Sequence, residues 1–272
     1  MEVGVFVHAA SRQVPADAGN ARGCSTMPMI NPYQHVRLCI WAGVVLLFIE
    51  VVFWGILGQN IPPYSPALDA QAYAEVFRAD ADVIRIGMTG AVMGGILYMF
   101  WTVGITKIME PIERANSANN VLSTLQMWSG GLTTVFFIVP PGIWLGSTFR
   151  AQTMPPDILQ ALTDVAWMLF DMSATTGSAQ LIALGVCILS DRRRIPIIPK
   201  WIGWMGIYVG ASLVMFAFMP FFKTGAFARN GAINFWFELP AFFLFMVLST
   251  IFLLKAIPKL DAEYAAEHVA KT

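Results

Sequence analysis

Six stretches of this chain, each about twenty residues or longer, are almost free of Asp, Glu, Lys and Arg. A helix rises 1.5 Å per residue, so about 20 apolar residues cross the ~30 Å hydrocarbon core of a bilayer. The stretches are 38–58, 86–106, one within 115–149 (its apolar part 121–145), 162–189, 201–222 and 233–254. They are too long for strands and show no strict alternation of apolar and polar residues, which argues against a barrel. Lipid offers no partner to a free N–H or C=O, so each stretch must satisfy its own backbone as an α-helix. The expected fold is an all-α polytopic membrane protein, a bundle of six transmembrane helices.

Composition agrees. Apolar residues make up 57% of the 272 residues and charged residues 12%, against about 25% charged in ordinary soluble domains. Lys plus Arg and Asp plus Glu both number 17, leaving no net positive charge to hold a nucleic acid. The three cysteines, Cys24, Cys39 and Cys187, are too few and too scattered for a disulfide framework or a metal box. The histidines, His8, His35 and His268, all lie outside the apolar stretches, which excludes His-cluster di-iron chemistry and bis-His haem. Walker A, GxGxxG and GxSxG patterns are absent, and no lysine sits mid-span. No metal and no cofactor is expected.

The chain divides into an N-terminal tail at 1–35, a six-helix membrane domain at 36–257 and a C-terminal tail at 258–272. The N-terminal tail has no apolar core of a signal peptide, and the membrane pattern begins just after Met27 and Met29, either of which would serve as a start. Basic residues set the orientation. Six crossings put twelve Lys and Arg on the side of the termini, including Arg192, Arg193 and Arg194, and five (Arg78, Arg85, Arg150, Lys223, Arg229) on the other. Both termini are therefore expected in the cytoplasm, with the chain integral to the cytoplasmic (inner) membrane. On the outer side, Ser65 as N-cap and Pro66 at N1 predict a small amphipathic helix over 66–79, with Leu68, Ala72 and Val76 at spacing four. Thr153 before Pro155-Pro156-Asp157 marks the start of the fourth helix.

Three carboxylates sit at membrane depth within the expected spans, Glu50, Asp171 and Glu238, with Asp164 nearer the start of the fourth. Counted from the outer ends, the three lie roughly 9–15 Å deep at 1.5 Å per residue. A carboxylate facing lipid at a helix centre costs about 2.5–3.5 kcal/mol, so the three are expected to turn inward. In the fourth helix Asp164, Asp171 and Ser178 repeat every seven residues and Thr175 follows Asp171 by four, forming one polar face, with Gln180 opposite. Donors at similar depth are Tyr98, Thr89, Asn234 and Trp236, and Arg85 stands where it can neutralise an acid. Glu50, Asp171, Glu238, Thr175, Arg85 and Asp164 are the candidate ligand-binding or proton-relay residues. Gly90 and Gly94 carry the GxxxG spacing of close helix contact. Pro240 beside Glu238 and Pro140-Pro141 are candidate kinks.

The segment Ile198-Pro199-Lys200-Trp201-Ile202-Gly203-Trp204-Met205-Gly206, with Phe221-Phe222-Lys223-Thr224-Gly225 and Asn230-Gly231, resembles uncharacterised bacterial multi-pass membrane proteins of the domain-of-unknown-function kind. The resemblance covers the last third of the chain and implies no functional residues. The residues themselves leave three readings. The first is binding or transport of a small cationic, hydrophobic or amphipathic molecule in an outward-facing, carboxylate-lined pocket. The second is acid/base isomerisation or cyclisation of a lipid or terpenoid substrate. The third is a non-catalytic accessory subunit of a protein complex. Lipid is a partner in all three.

Overall fold

The computed structural model describes residues 33–116 and 119–269. The N-terminal tail up to residue 32, with Met27 and Met29, lies outside the described residues. Among those described, every regular element is a helix. Six helical stretches are long and apolar enough to cross a membrane: Gln34–Leu57, Ala81–Asn116, Val121–Phe149, Pro156–Ser190, Lys200–Phe221 and Glu238–Glu267. This is the architecture of a polytopic integral membrane protein. Large apolar side chains such as Leu38, Phe48, Trp128 and Tyr208 remain exposed on its sides, as a lipid-facing surface requires.

Five of the six spans are interrupted. The first begins as α1 (Gln34–Ile49) and widens at Glu50 into a π-helical segment, Glu50–Leu57, where Gly58 N–H donates to the Phe53 carbonyl five residues back. A short α2 (Ala70–Ala79) follows outside the spans. The second span comprises α3 (Ala81–Gly94) and α4 (Leu97–Asn116), broken at Gly95 and Ile96. The third comprises α5 (Val121–Phe136) and α6 (Val139–Phe149). The fourth comprises α7 (Pro156–Met172) and α8 (Ala174–Ser190), broken at Ser173. The fifth passes from α9 (Lys200–Ser212) into a nine-residue 3₁₀ segment, Leu213–Phe221. Only α10 (Glu238–Val269) runs on without a break, and it stays helical well past residue 258.

Pro140 and Pro141 cause one break by opening α6, where their missing N–H groups have no intrahelical acceptor to lose. Pro240 lies in the first turn of α10 and so kinks nothing. The sixth span starts at Glu238, five residues later than composition indicated. Residues 233–237 fold instead into turns, with Ile233 N–H on the Ala226 carbonyl and Phe235 N–H on that of Gly231.

Packing relies on small residues and one polar seam. A Cβ on Gly87 would lie 2.5 Å from the backbone of Gly58, and one on Gly94 would lie 2.6 Å from Ile49, so α3 rests directly on the first span. Gly90 meets the Phe53 ring there too. Between α4, α5 and α8, Tyr98 Oη donates to Gln180 Oε1 (2.8 Å), and Gln180 Nε2 donates to Thr102 Oγ1 (3.2 Å). Thr106 pairs with Gln126 at 2.6 Å. Gln180 thus bridges α8 to α4. Two apolar clusters fill the interior. One, around Trp101, Ile105 and Phe245, lies toward the termini. The other, around Trp54, Tyr73, Trp144 and Trp167, lies under α2. Phe137 of the first and Phe170, packed on the second, meet edge to face at 6.2 Å.

Candidate functional site

Asp171 and Arg229 are buried at the boundary between the clusters, whereas Glu113 and Asp191 are buried at the far ends of α4 and α8. Asp171, one residue before the end of α7, is 4% exposed. It lines a cavity of about 60 Å³ whose walls include Phe137, Phe170, Phe216, Phe242 and Phe243. The breaks at Phe137, Ser173 and Leu213 line the same cavity. Irregular backbone at membrane depth is tolerated only where it is buried in protein or lines a cavity. Three breaks therefore have a common location. Asp171 is the sole titratable group among the residues lining this space.

On its other side Asp171 lines a smaller compartment of about 10 Å³ together with Trp54, Trp167, Arg229 and Asn234. Asn234 Nδ2 stands 3.5 Å from Asp171 Oδ2, a long hydrogen bond. Arg229, in the segment between the fifth and sixth spans, is 4% exposed and donates from Nη2 to Asp164 Oδ1 at 2.8 Å. Its guanidinium lies over the Trp167 ring at 5.4 Å, and Arg229 lines the same compartment as Asp171. Trp167 meets Trp54 and Trp144 edge to face, and Trp54 stacks on Phe170 at 4.8 Å. The sequence showed Arg229 only as one of five basic residues on its side. The two acids two turns apart on α7 were the available sign that a cation would be needed there.

The other sequence candidates lie elsewhere. Glu50 is buried where α1 becomes π-helical, between Leu46 of one cluster and Trp54 of the other, and lines neither compartment that Asp171 lines. Glu238 is the first residue of α10 rather than a mid-span acid. It accepts from Ser212 Oγ at 2.8 Å and faces a separate groove with Tyr208, Met215 and Phe227. The expected meeting of three acids around one hollow is thus replaced by Asp171 with Arg229, Asn234 and Asp164. Arg85 neutralises none of the buried acids. It pairs with Asp82 at 2.8 Å and donates to the Thr148 carbonyl. Thr175 is exposed, its hydroxyl returned to the Met172 carbonyl, because the break at Ser173 resets the helical phase that would have stacked it on Asp171. Ser178, past the same break, bonds the Gly210 carbonyl. Thr89 donates to the Arg85 carbonyl and Trp236 is exposed, so only Asn234 of the expected donors reaches one of the acids.

Over this end lies α2, bound in place by polar contacts. Its N-cap is Asp69, which accepts from Ala72 N–H at 2.8 Å, and not Ser65, so the helix starts four residues later than Pro66 indicated. Arg78 donates to the carbonyls of Ala151 (2.9 Å) and Met154 (2.8 Å), and Gln160 donates to Leu68. The fourth helix, for its part, begins at Pro156 without a side-chain cap from Thr153. Burial raises the Tyr73 phenol to about 12 against the opposing charge of Arg229. Burial and a hydrogen bond to Asp80 also raise Tyr64.

Among the described residues, no group of three or more His, Cys, Asp or Glu is placed to hold a metal ion. Comparison with protein-family models, curated proteins and solved structures gave no match.

Proposed function

We propose that this protein binds a small organic cation, an alkylammonium or similar amphipathic amine, in the cavity lined by Asp171, with Asp171 as its counter-ion. The observation that carries this reading is a single carboxylate set in a cavity walled by five phenylalanines. Aromatic faces attract a cation through their quadrupole, most strongly where water is excluded. Charge counting points the same way. The one guanidinium of the cluster, Arg229, pairs with Asp164, so an ionised Asp171 beside it leaves one negative charge in excess. A guest cation or a proton closes that balance. The cavity, at about 60 Å³, has room for about four to six water-sized groups if one water needs roughly 10–15 Å³. The excess of basic residues at the termini end supports a cytoplasmic placement of both termini.

The test is binding of a methyl- to hexylammonium series to purified protein, followed by tryptophan fluorescence, with the matching alcohols as neutral controls. Ammonium ions should bind at least tenfold more tightly than alcohols, and Asp171→Asn should remove the difference. Equal affinity for both series, or an unchanged preference in the variant, would sink the proposal. Uptake into proteoliposomes then separates transport from binding alone.

A further inference from the structure

Several polar groups with no hydrogen-bond partner among the described residues belong to one place. Trp54 Nε1, Arg229 Nε, Arg229 Nη1 and Asn234 Oδ1 are all buried in this way. Their three residues are 0%, 4% and 2% exposed, and all three line the compartment of about 10 Å³ beside Asp171. They come from two separate parts of the fold: the π-helical segment of the first span, and two positions in the segment between the fifth and sixth spans. Buried donors and acceptors are rarely left without partners, and each one so left costs free energy comparable to a lost hydrogen bond.

We infer that this compartment is a binding site for one structural water, held by Trp54, Arg229 and Asn234 against Asp171. Size and hydrogen-bond stoichiometry both select water. About 10 Å³ is close to the space one water sphere occupies. A water accepts two hydrogen bonds and donates two. Here the donors are the Trp54 indole N–H and an Arg229 N–H, and the acceptors are Asn234 Oδ1 and the Asp171 carboxylate. A simple anion would satisfy the N–H groups but would face the carboxylate and the amide oxygen. A metal ion would meet the guanidinium. Only a group that both donates and accepts engages both kinds of atom, and one water does so with Trp54, Asn234 and one of the two unpartnered Arg229 N–H groups. Resting on the cation-binding reading above, the water is a positioning element. It engages the Asp171 carboxyl from the side away from the phenylalanine cavity and links it to Arg229, leaving the cavity side for the guest.

The test uses the full-length protein without ligand. In ¹⁵N-tryptophan-labelled protein, the Trp54 indole N–H should show a cross-relaxation peak to a long-lived water, assigned by its loss in Trp54→Phe, which keeps the ring stacked on Phe170. A high-resolution structure should show one single-atom density feature within about 3.2 Å of Trp54 Nε1 and Asn234 Oδ1. Asp171→Asn should keep that water, since the amide oxygen still accepts, while losing the cation preference. Loss of the preference with the water retained therefore separates the two proposals. Direct bonding of Arg229 to Asp171, a multi-atom density, or no water contact at the Trp54 indole would overturn the inference.

Discussion

Arg229 and Asp164, sixty-five residues apart in sequence, form an ion pair of unequal burial: the guanidinium side chain is 4% exposed and the carboxylate side chain 42%. The pair fastens the segment between the fifth and sixth spans to α7. The asymmetry sets the sign of a mutational experiment. Asp164→Asn strands a buried cation and should cost about 3 kcal/mol, at the low end for a broken buried pair. Arg229→Met leaves the half-exposed Asp164 to water, and should cost about 1 kcal/mol. The double variant should be more stable than Asp164→Asn alone. Thermal unfolding of the four proteins measures the cycle, and a costlier Arg229→Met would contradict it.

The six-helix plan could be read from charge-free runs because lipid leaves the backbone no alternative to a helix. The breaks within those runs could not. Gly95, Ser173 and Leu213 lie in sequence as apolar or small as their surroundings, and hydropathy does not register a change from α to π or 3₁₀ geometry. Only Pro140-Pro141 signalled one. The same blindness misplaced the start of the sixth span, since residues 233–237 are apolar yet folded as turns. Glu238 then moved from mid-span to a helix N-terminus, where the helix dipole favours a carboxylate. Thr175 was lost to the phase reset at Ser173. Asp164 and Asp171 were visible as a seven-residue repeat, but their cation came from a distant loop and could be found only by tertiary structure.

The polar seam between α4, α5 and α8 depends on the absence of a side chain at Gly130. A Cβ there would lie 2.5 Å from both Gln180 Nε2 and Thr102 Oγ1. Gly130→Ala should therefore break the Gln180–Thr102 bond and cost about 1–3 kcal/mol. Gly142→Ala, whose Cβ meets nothing within 4 Å, should change stability by less than about 0.5 kcal/mol. A thermal-unfolding comparison in one detergent decides between a seam that stabilises the bundle and one the bundle can spare.

The cap of α2 separates two helix starts. Asp69→Ala removes the acceptor for Ala72 N–H and should cost about 1 kcal/mol. Ser65→Ala, at the start the Ser-Pro pair suggested, should cost a few tenths at most, because its hydroxyl accepts only a weak 3.3 Å bond from Ala67 N–H. Local protection against amide hydrogen exchange over 70–79 should fall in the first variant and not in the second.

Tyr73 makes the packing of α2 sensitive to alkali. Its phenol has a folded value of about 12 against an ordinary 10.0, raised chiefly by burial. A raised acid holds its proton longer in the folded state, so its contribution is complete below pH 10 and is lost as the pH climbs from 10 to 12. At 1.36 kcal/mol per pKa unit the loss amounts to about 2–3 kcal/mol. Tyr64, raised by burial and its bond to Asp80, adds to the effect in the same direction. Tyr73→Phe cannot ionise and keeps the ring packed on Phe77. It should flatten the fall in unfolding midpoint between pH 10 and 12. If the variant and the parent lose stability equally across that range, the phenol is not the group that titrates.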